Sequence, residues 1–108
     1  MPTTSSRTRA GKAATVAPAP SETAAVFHAL GDPNRLAIVR QLLADAEKAC
    51  GSFDVDITAS TLSHHFKVLR EARVIEQRAD GYRKLNTIHP FLRAHFPGLL
   101  ADLAGVDG

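Results

Sequence analysis

Several features that define large classes of proteins are scarce or missing in this chain of 108 residues. It has one cysteine and no tryptophan, and it has no apolar run of the roughly 18 residues that a membrane-spanning helix needs. A single cysteine excludes an intrachain disulfide framework and fits a reducing compartment. The N-terminus has no continuous apolar stretch of the kind that directs secretion. We therefore expect one cytoplasmic domain with a modest core and no membrane segment.

The start of the chain also lacks the large apolar side chains that a folded segment needs. Residues 1–20 are rich in Ser, Thr, Ala and Pro. Such a composition cannot bury enough surface to offset the entropy lost on ordering, so we predict a disordered tail there and one folded domain over residues 21–104. Arg7, Arg9 and Lys12 make the tail cationic, which leaves two interpretations, an arm that contacts DNA and a flexible leader.

The first part of the domain predicts two consecutive helices separated by a tight break. Ser21 is a suitable N-cap for a helix over Glu22–Leu30. Asp32 is placed to cap the next helix, and Pro33 fits its first position, where a missing N–H costs nothing. This second helix, Asn34–Ala44, is apolar over nearly half its circumference, so we expect it to lie centrally with neighbours on more than one side.

A stretch with helical periodicity at residues 60–71 has two contrasting sides. Leu62, Phe66 and Leu69 recur at steps of four and three and form one apolar stripe. The opposite side carries Ser60, Ser63, His64 and Lys67, with Arg70 beside them. Hydroxyl, imidazole and ammonium groups suit base edges and phosphates, which favours a DNA-reading helix. The alternative is an ordinary amphipathic helix whose polar side is solvated.

A short basic hairpin is predicted directly after this helix. Asp80-Gly81 is a strong turn signal, because glycine adopts positive φ without steric cost. Around it lie Arg78, Arg83, Lys84 and one aromatic residue, Tyr82. A plain solvated β-turn is the alternative, but a helix followed by a basic hairpin is the order of elements in a winged helix-turn-helix. Over residues 58–93, seven basic side chains stand against three acids, a concentration of positive charge typical of DNA-binding proteins.

Together these motifs resemble a known family. STLSHHFKVLREA at residues 60–72, with the basic hairpin after it, resembles the recognition helix and wing of ArsR/SmtB-type winged-helix repressors. ALGDPNRLAIVRQLL at residues 29–43 resembles the second-helix segment of that family, and FPGLL at residues 96–100 is similar to a subset of its members. The resemblance implies an α+β fold, mostly α with a small β-hairpin, and a homodimer whose first and last helices form the seam.

The resemblance also implies a function, that of a transcriptional repressor that binds double-stranded DNA at a pseudo-palindromic operator. The recognition-helix residues expected to contact DNA are Ser60, Thr61, Ser63, His64, His65, Lys67 and Arg70. The wing residues expected to do so are Arg78, Tyr82, Arg83 and Lys84. We expect His65 to be half-buried and bonded to a phosphate, with less base contact than His64. Arg35 has two interpretations, a phosphate contact and a structural salt bridge.

The segment at residues 46–57 departs from the family pattern. Its glycine, alternating aspartates and β-branched residues favour a loop or a very short helical turn, where the family has a full supporting helix. We therefore predict a reduced supporting helix, with Phe53, Val55 and Ile57 filling the core in its place. Thr58 is placed to cap the helix that follows.

Metal-ligating and catalytic side chains do not occur at the spacings that a metal site or an active site requires. Cys50 is the only cysteine, so the paired-cysteine metal site of the family has no counterpart, and His89 and His95 are six residues apart on different sides of a helix. We predict no metal site and no cofactor, and Cys50 as an inert, part-buried residue. No serine-histidine-acid set, paired carboxylates or phosphate-binding glycine loop has credible spacing, so an enzyme is not expected.

Two functions stay open at this point, and so do three possibilities for what controls DNA binding. The alternative to an operator-binding repressor is a winged-helix module that binds another protein through its apolar C-terminal surface. The signals that fit the sequence are a small organic effector at the dimer seam, oxidation of Cys50, and no ligand at all.

Overall fold

The computed structural model describes residues 16–105, which form five α-helices and a three-stranded antiparallel sheet. The helices are α1 (Pro20–Leu30), α2 (Pro33–Asp45), α3 (Ala59–Glu71), α4 (Pro90–His95) and α5 (Pro97–Leu103). The strands are β1 (Lys48–Ala49), β2 (Ile75–Asp80) and β3 (Arg83–Ile88), in the sheet order β1-β3-β2. This confirms the predicted fold, mostly α with a small hairpin. Arg7, Arg9 and Lys12 of the predicted tail lie outside the described residues.

The break between α1 and α2 is built from the residues that the sequence indicated. Asp32 accepts hydrogen bonds from the backbone N–H groups of Asn34, at 2.8 Å, and Arg35, at 3.2 Å, and so caps α2. Pro33 occupies the first helical position. The start of α1 differs from the prediction, because the cap position is Ala19 and not Ser21. The Ala19 N–H donates to the Glu22 carboxylate at 2.8 Å, which satisfies a terminal backbone group without a side-chain cap.

The core lies where α2, α3 and the sheet meet. Ile38 and Leu42 of α2, Leu69 of α3 and Ile75 of β2 are fully buried, together with Leu92 of α4. The predicted central position of α2 is confirmed, since this helix packs against α1, α3, α5 and β3. Burial of one stripe of α3 therefore determines which of its residues remain in solvent.

The segment between α2 and α3 contains the predicted reduction of the supporting helix. A single 3-10 turn, Cys50–Ser52, is the only helical structure there. Phe53 is buried, and its ring packs edge-on against Phe66 of α3 with centroids 5.4 Å apart. Val55 packs half-buried against the core and Ile57 is half-buried. Strand β1, which pairs with β3, was not predicted, because two residues carry no readable strand pattern.

The hairpin has the predicted turn one residue later than expected. Asp80 pairs with Arg83, so Gly81 and Tyr82 form the two-residue loop. Gly81 has a φ of +65°, which glycine adopts without strain. With this register, Gln77 lies opposite Asn86.

Two short helices close the chain. Pro97 separates α4 from α5, and it occupies the first turn of α5, where a missing backbone N–H costs no hydrogen bond. Leu92 and Leu100 are buried, whereas Phe91, Phe96, Leu99 and Leu103 are half-buried. Within residues 16–105, no helix combines the length and apolarity that crossing a membrane requires.

A strained position at the end of α2 generates the first prediction. Ala46 has φ +69° and ψ −45°, near the γ-turn of positive φ, a conformation that costs an L-residue about 1–3 kcal/mol and costs glycine little. We expect Ala46→Gly to raise the free energy of unfolding by about 0.5–1 kcal/mol and the melting temperature by about 3–6 °C. Ala44→Gly, two residues earlier in the regular helix, is the matched control and should lower both. Equal effects of the two changes on thermal unfolding would contradict the prediction.

Candidate nucleic-acid interface

The outward side of α3 carries most of the residues predicted to contact DNA. Thr58 begins the helix by accepting a hydrogen bond from the Thr61 N–H at 3.2 Å, which confirms the predicted cap. The predicted residues that are solvent-exposed on α3 are Ser60, Thr61, Ser63, His64, Lys67 and Arg70. They face solvent because Phe66 and Leu69, on the other side of the helix, are 4% and 0% exposed. A partner in solution can therefore reach these hydroxyl, imidazole and cationic groups.

His65 is the exception, and the expectation that it is half-buried is wrong. Its side chain is buried, with the residue only 6% exposed. Its Nδ1 lies 3.0 Å from Arg35 Nη1. A guanidinium has only donors, so Nδ1 accepts this bond and the ring proton lies on Nε2, which faces Asp32 Oδ1 at 4.0 Å. In this structure His65 connects α3 to α2, and it has no accessible edge for a phosphate.

Arg35 is a structural residue, but it acts through hydrogen bonds to carbonyls and a histidine and not through the predicted salt bridge, since it forms no ion pair within residues 16–105. It is 9% exposed, and its Nε donates to the Ala29 carbonyl at 2.6 Å. The carbonyls at the end of a helix carry the negative end of its dipole, so they offset the desolvation of a buried cation. Burial opposes ionisation of the nearby Asp32, but hydrogen bonds from the Arg35 and Asn34 backbone N–H groups and the positive charge of Arg35 prevail and lower its pKa.

The basic residues of the wing are divided between the two faces of the sheet. Lys84 lies on the face toward α3, where it borders the same cavity as Lys67 and Arg70. Arg78 and Arg83 lie on the other face. Successive side chains of a strand point to opposite faces, so the neighbours Arg83 and Lys84 cannot share one. The predicted wing is therefore not a single basic surface.

The two faces also differ in charge compensation. On the face away from α3, each cation pairs with an acid: Arg78 with Glu47 at 3.0 Å, Arg83 with Asp80 at 2.7 Å, and Lys48 with Asp45 at 2.9 Å. The hydrogen bond from Arg83 and its charge lower the pKa of Asp80. On the face toward α3, none of Lys67, Arg70 and Lys84 forms an ion pair with any residue of the range 16–105. The uncompensated positive charge therefore lies beside the exposed side of α3.

The tip of the wing and a polar cluster complete the site. Tyr82 is fully exposed in the hairpin loop. Behind the wing, Gln77 accepts from Arg70 at 2.8 Å and donates to Asn86 at 2.7 Å. Both amides also donate to the Cys50 sulfur at 3.3 Å, and Cys50 is part-buried. Sequence reasoning missed the roles of Gln77 and Asn86, because the pairing of these two residues depends on the exact register of the hairpin.

The described part of the chain contains no cluster of three or more His, Cys, Asp or Glu side chains that could hold a metal ion. The site therefore consists of hydrogen-bonding groups and fixed cations on a helix and an adjacent hairpin. Such groups recognise anionic polymers by hydrogen bonds and charge. The arrangement defines a winged helix-turn-helix protein.

Comparison with known proteins agrees with this class. A family model described as a helix-turn-helix domain matches residues 30–78. A relative from Bacillus subtilis (strain 168), the uncharacterized HTH-type transcriptional regulator YceK, is 37% identical over 74% of this chain and 84% of its own length. The chain belongs to the ArsR/SmtB-type family of winged helix-turn-helix proteins, and it is a DNA-binding transcriptional regulator.

Solved structures share the fold. The transcriptional repressor BigR from Xylella fastidiosa has a TM-score of 0.63 and 26% identity, over 80% of this chain and 86% of its own. A structure described as an ArsR family transcriptional regulator has a TM-score of 0.63 over 84% of this chain and 95% of its own; at 19% identity it supports the fold alone.

Adjacent histidines on α3 provide the second prediction. Loss of His65 leaves a buried guanidinium donor without its acceptor, so we expect His65→Ala to lower the free energy of unfolding by about 2–3 kcal/mol. His64→Ala is the matched control and should change it by less than about 0.5 kcal/mol, because His64 is exposed. His65→Gln keeps an acceptor and should lose less. Urea unfolding at fixed protein concentration measures all three, and an equal loss for both alanine variants would rule out the structural role of His65.

Proposed function

We propose that this regulator is a repressor that binds a pseudo-palindromic DNA operator as a homodimer, in the cytoplasm. The observation that carries the proposal is the position of Lys67, Arg70 and Lys84. Their charges are not compensated by acids within residues 16–105, and they flank the exposed polar side of α3. Phosphate contacts by such cations provide most of the affinity of a protein for DNA. BigR, which shares the fold, is a transcriptional repressor, and this supports the same direction of regulation.

The side chains of α3 divide into two roles. Ser60, Thr61, Ser63 and His64 carry hydrogen-bonding groups that suit base edges in the major groove or its phosphate rim. Lys67 and Arg70 lie further along the helix and hold the DNA backbone. Arg70 is the more fixed of the two cations, because its hydrogen bond to Gln77 at 2.8 Å holds the guanidinium against the sheet.

The wing contacts DNA in two ways. Lys84 is free to bind a phosphate as it stands, on the same side as α3. To bind phosphate, Arg78 and Arg83 give up their ion pairs with Glu47 and Asp80. Breaking these pairs costs little, because exposed ion pairs contribute only about 0–1 kcal/mol. Tyr82 at the exposed tip reaches the minor groove or its flanking phosphates.

Apolar side chains near both ends of the domain support the homodimer. Phe27 of α1 is 55% exposed. Its ring lies edge-on to Phe96, between α4 and α5, with centroids 6.4 Å apart. Half-buried Phe91, Leu99 and Leu103 extend this apolar surface. Pairing across a two-fold axis would cover it, and would place two copies of α3 on half-sites one helical turn apart.

Alanine substitution of individual cations tests whether they contact DNA phosphates. Each phosphate contact contributes about −0.9 to the slope of log K against log salt, so Lys67→Ala should weaken operator binding and flatten this slope by about one unit. Adding Lys84→Ala should flatten it by about two. Arg40→Ala removes an exposed cation of α2 that lies beside Gly105, and should leave the slope unchanged.

The operator for this experiment comes from sequencing the genomic DNA that the protein retains. Fluorescence anisotropy at several salt concentrations then gives the slopes. If the double variant binds with the wild-type affinity and slope, these cations are not the DNA surface. If the wild type shows no preference for operator over random competitor DNA, a protein-binding module is the better assignment.

A charge within the apolar surface tests the dimer. Phe27→Glu would place a carboxylate in the proposed seam, where burial without a partner is costly, so we expect the molar mass in light scattering to fall to that of one chain. Tyr82→Glu makes the same change at the wing tip, outside the seam, and should leave the mass at two chains. A wild-type protein that is monomeric at micromolar concentration contradicts the proposed assembly.

A further inference from the structure

A groove runs along α3 between this helix, the 3-10 turn and the hairpin. The 3-10 turn at Cys50–Ser52 has only three residues, so it leaves part of the adjoining side of α3 uncovered. We call this cavity the α3 groove; its floor includes Ala59, Leu62 and Phe66, and its rim includes Lys67, Arg70 and Lys84. Its volume of about 550 Å³ lies within the range of about 300–1,000 Å³ that is usual for small-molecule sites.

The lining of the α3 groove combines an apolar floor with charge of one sign. Leu62 is half-buried and Phe66 is buried, so the floor is anchored in the core. No aspartate or glutamate lines the groove. The cavity on the other face of the sheet is the internal contrast, because its lining includes Asp45, Glu47 and Asp80. Of these two cavities, the α3 groove is the one whose charge attracts an anion, and its floor favours an anion with an apolar body.

The neutral end of the groove adds polar groups at fixed positions. Gln77 and Cys50 lie there, joined by a hydrogen bond of 3.3 Å. Gln77 also holds Arg70 in place. A guanidinium that is already positioned binds a carboxylate with a smaller loss of side-chain entropy.

We propose that the α3 groove binds an amphipathic organic acid, a carboxylate or sulfonate on an apolar body, and that this ligand displaces DNA. The apolar body lies on Leu62 and Phe66, and the acid group accepts hydrogen bonds from the rim cations. Displacement rests on the proposed function, because Lys67, Arg70 and Lys84 are also assigned to DNA phosphates. Ligand and operator then compete for the same charges, and release follows from mass action.

Gly51 allows the groove to be filled without disturbing the fold. It lines the groove, and a Cβ atom added there meets no atom within 4 Å. Gly51→Leu therefore introduces a side chain into open space. Gly98 on α5 is equally open and lies outside the groove, so Gly98→Leu is the matched control. Ala59→Leu fills the floor from α3 and serves as a second blocking variant if Gly51→Leu does not fold.

Anilinonaphthalene sulfonate is a suitable probe, because it is an aromatic anion whose fluorescence rises in apolar sites. We expect saturable binding to the wild type and to Gly98→Leu. Gly51→Leu should weaken it by about tenfold or more, the size of effect that a misfit of a methylene or two has in an apolar pocket. Octanoate should displace the probe and uncharged octanamide should not. Equal probe binding by Gly51→Leu and Gly98→Leu, or equal displacement by the two octanoyl compounds, overturns the proposal.

A second measurement separates this proposal from the proposed function. Operator binding is measured by anisotropy without ligand and then with increasing octanoate. We expect octanoate to lower the operator affinity of the wild type and of Gly98→Leu, and to have little effect on Gly51→Leu. Operator binding that octanoate leaves unchanged overturns displacement while the repressor assignment stands. Probe binding to the groove by a protein that has no operator preference overturns the repressor assignment while the ligand site stands.

Discussion

One buried guanidinium fixes the arrangement of helices on which the exposed surface depends. Arg35 donates to the Ala29 carbonyl at the end of α1 and to His65 of α3, and its own N–H donates to the Asp32 cap of α2. A buried cation is tolerated only where hydrogen bonds replace its water, so these three helices must keep this geometry for the charge to stay buried. The orientation of α3 is therefore set from inside the protein, and its solvent-facing residues remain free for another purpose.

The parts of the fold that local signals specify were predictable. Asp32-Pro33 and Thr58 place the starts of α2 and α3, because a cap depends on residues two or three positions apart. The pairing of β1 and the hairpin register were not predictable, since both are non-local. A loop centred on Asp80-Gly81 would set Gln77 opposite Lys84, whereas the observed loop sets it opposite Asn86. That shift decides which polar groups meet behind the wing.

The candidate site shows the same division between local and non-local information. The exposed residues of α3 follow from helical periodicity, and His65 was misjudged because its partner, Arg35, is 30 positions away in the chain. A count of charges along the sequence likewise gave one basic wing, although alternation along a strand already requires Arg83 and Lys84 to lie on opposite faces. The partner of Arg83 is local, since Asp80 lies three positions before it, but Arg78 is compensated by Glu47, 31 positions earlier in the chain, which no local pattern reveals.

The reduced supporting helix links the shape of the α3 groove to the proposed regulation. Allosteric repressors need two states of the protein and a ligand that binds one of them more tightly. Here the groove and the proposed DNA surface share Lys67, Arg70 and Lys84, so an anion in the groove competes with phosphate directly. Direct competition needs no second conformation, and it works as long as the three cations lack acidic partners. The proposed ligand and the DNA phosphates therefore depend on the same three charges, and one cannot occupy them without excluding the other.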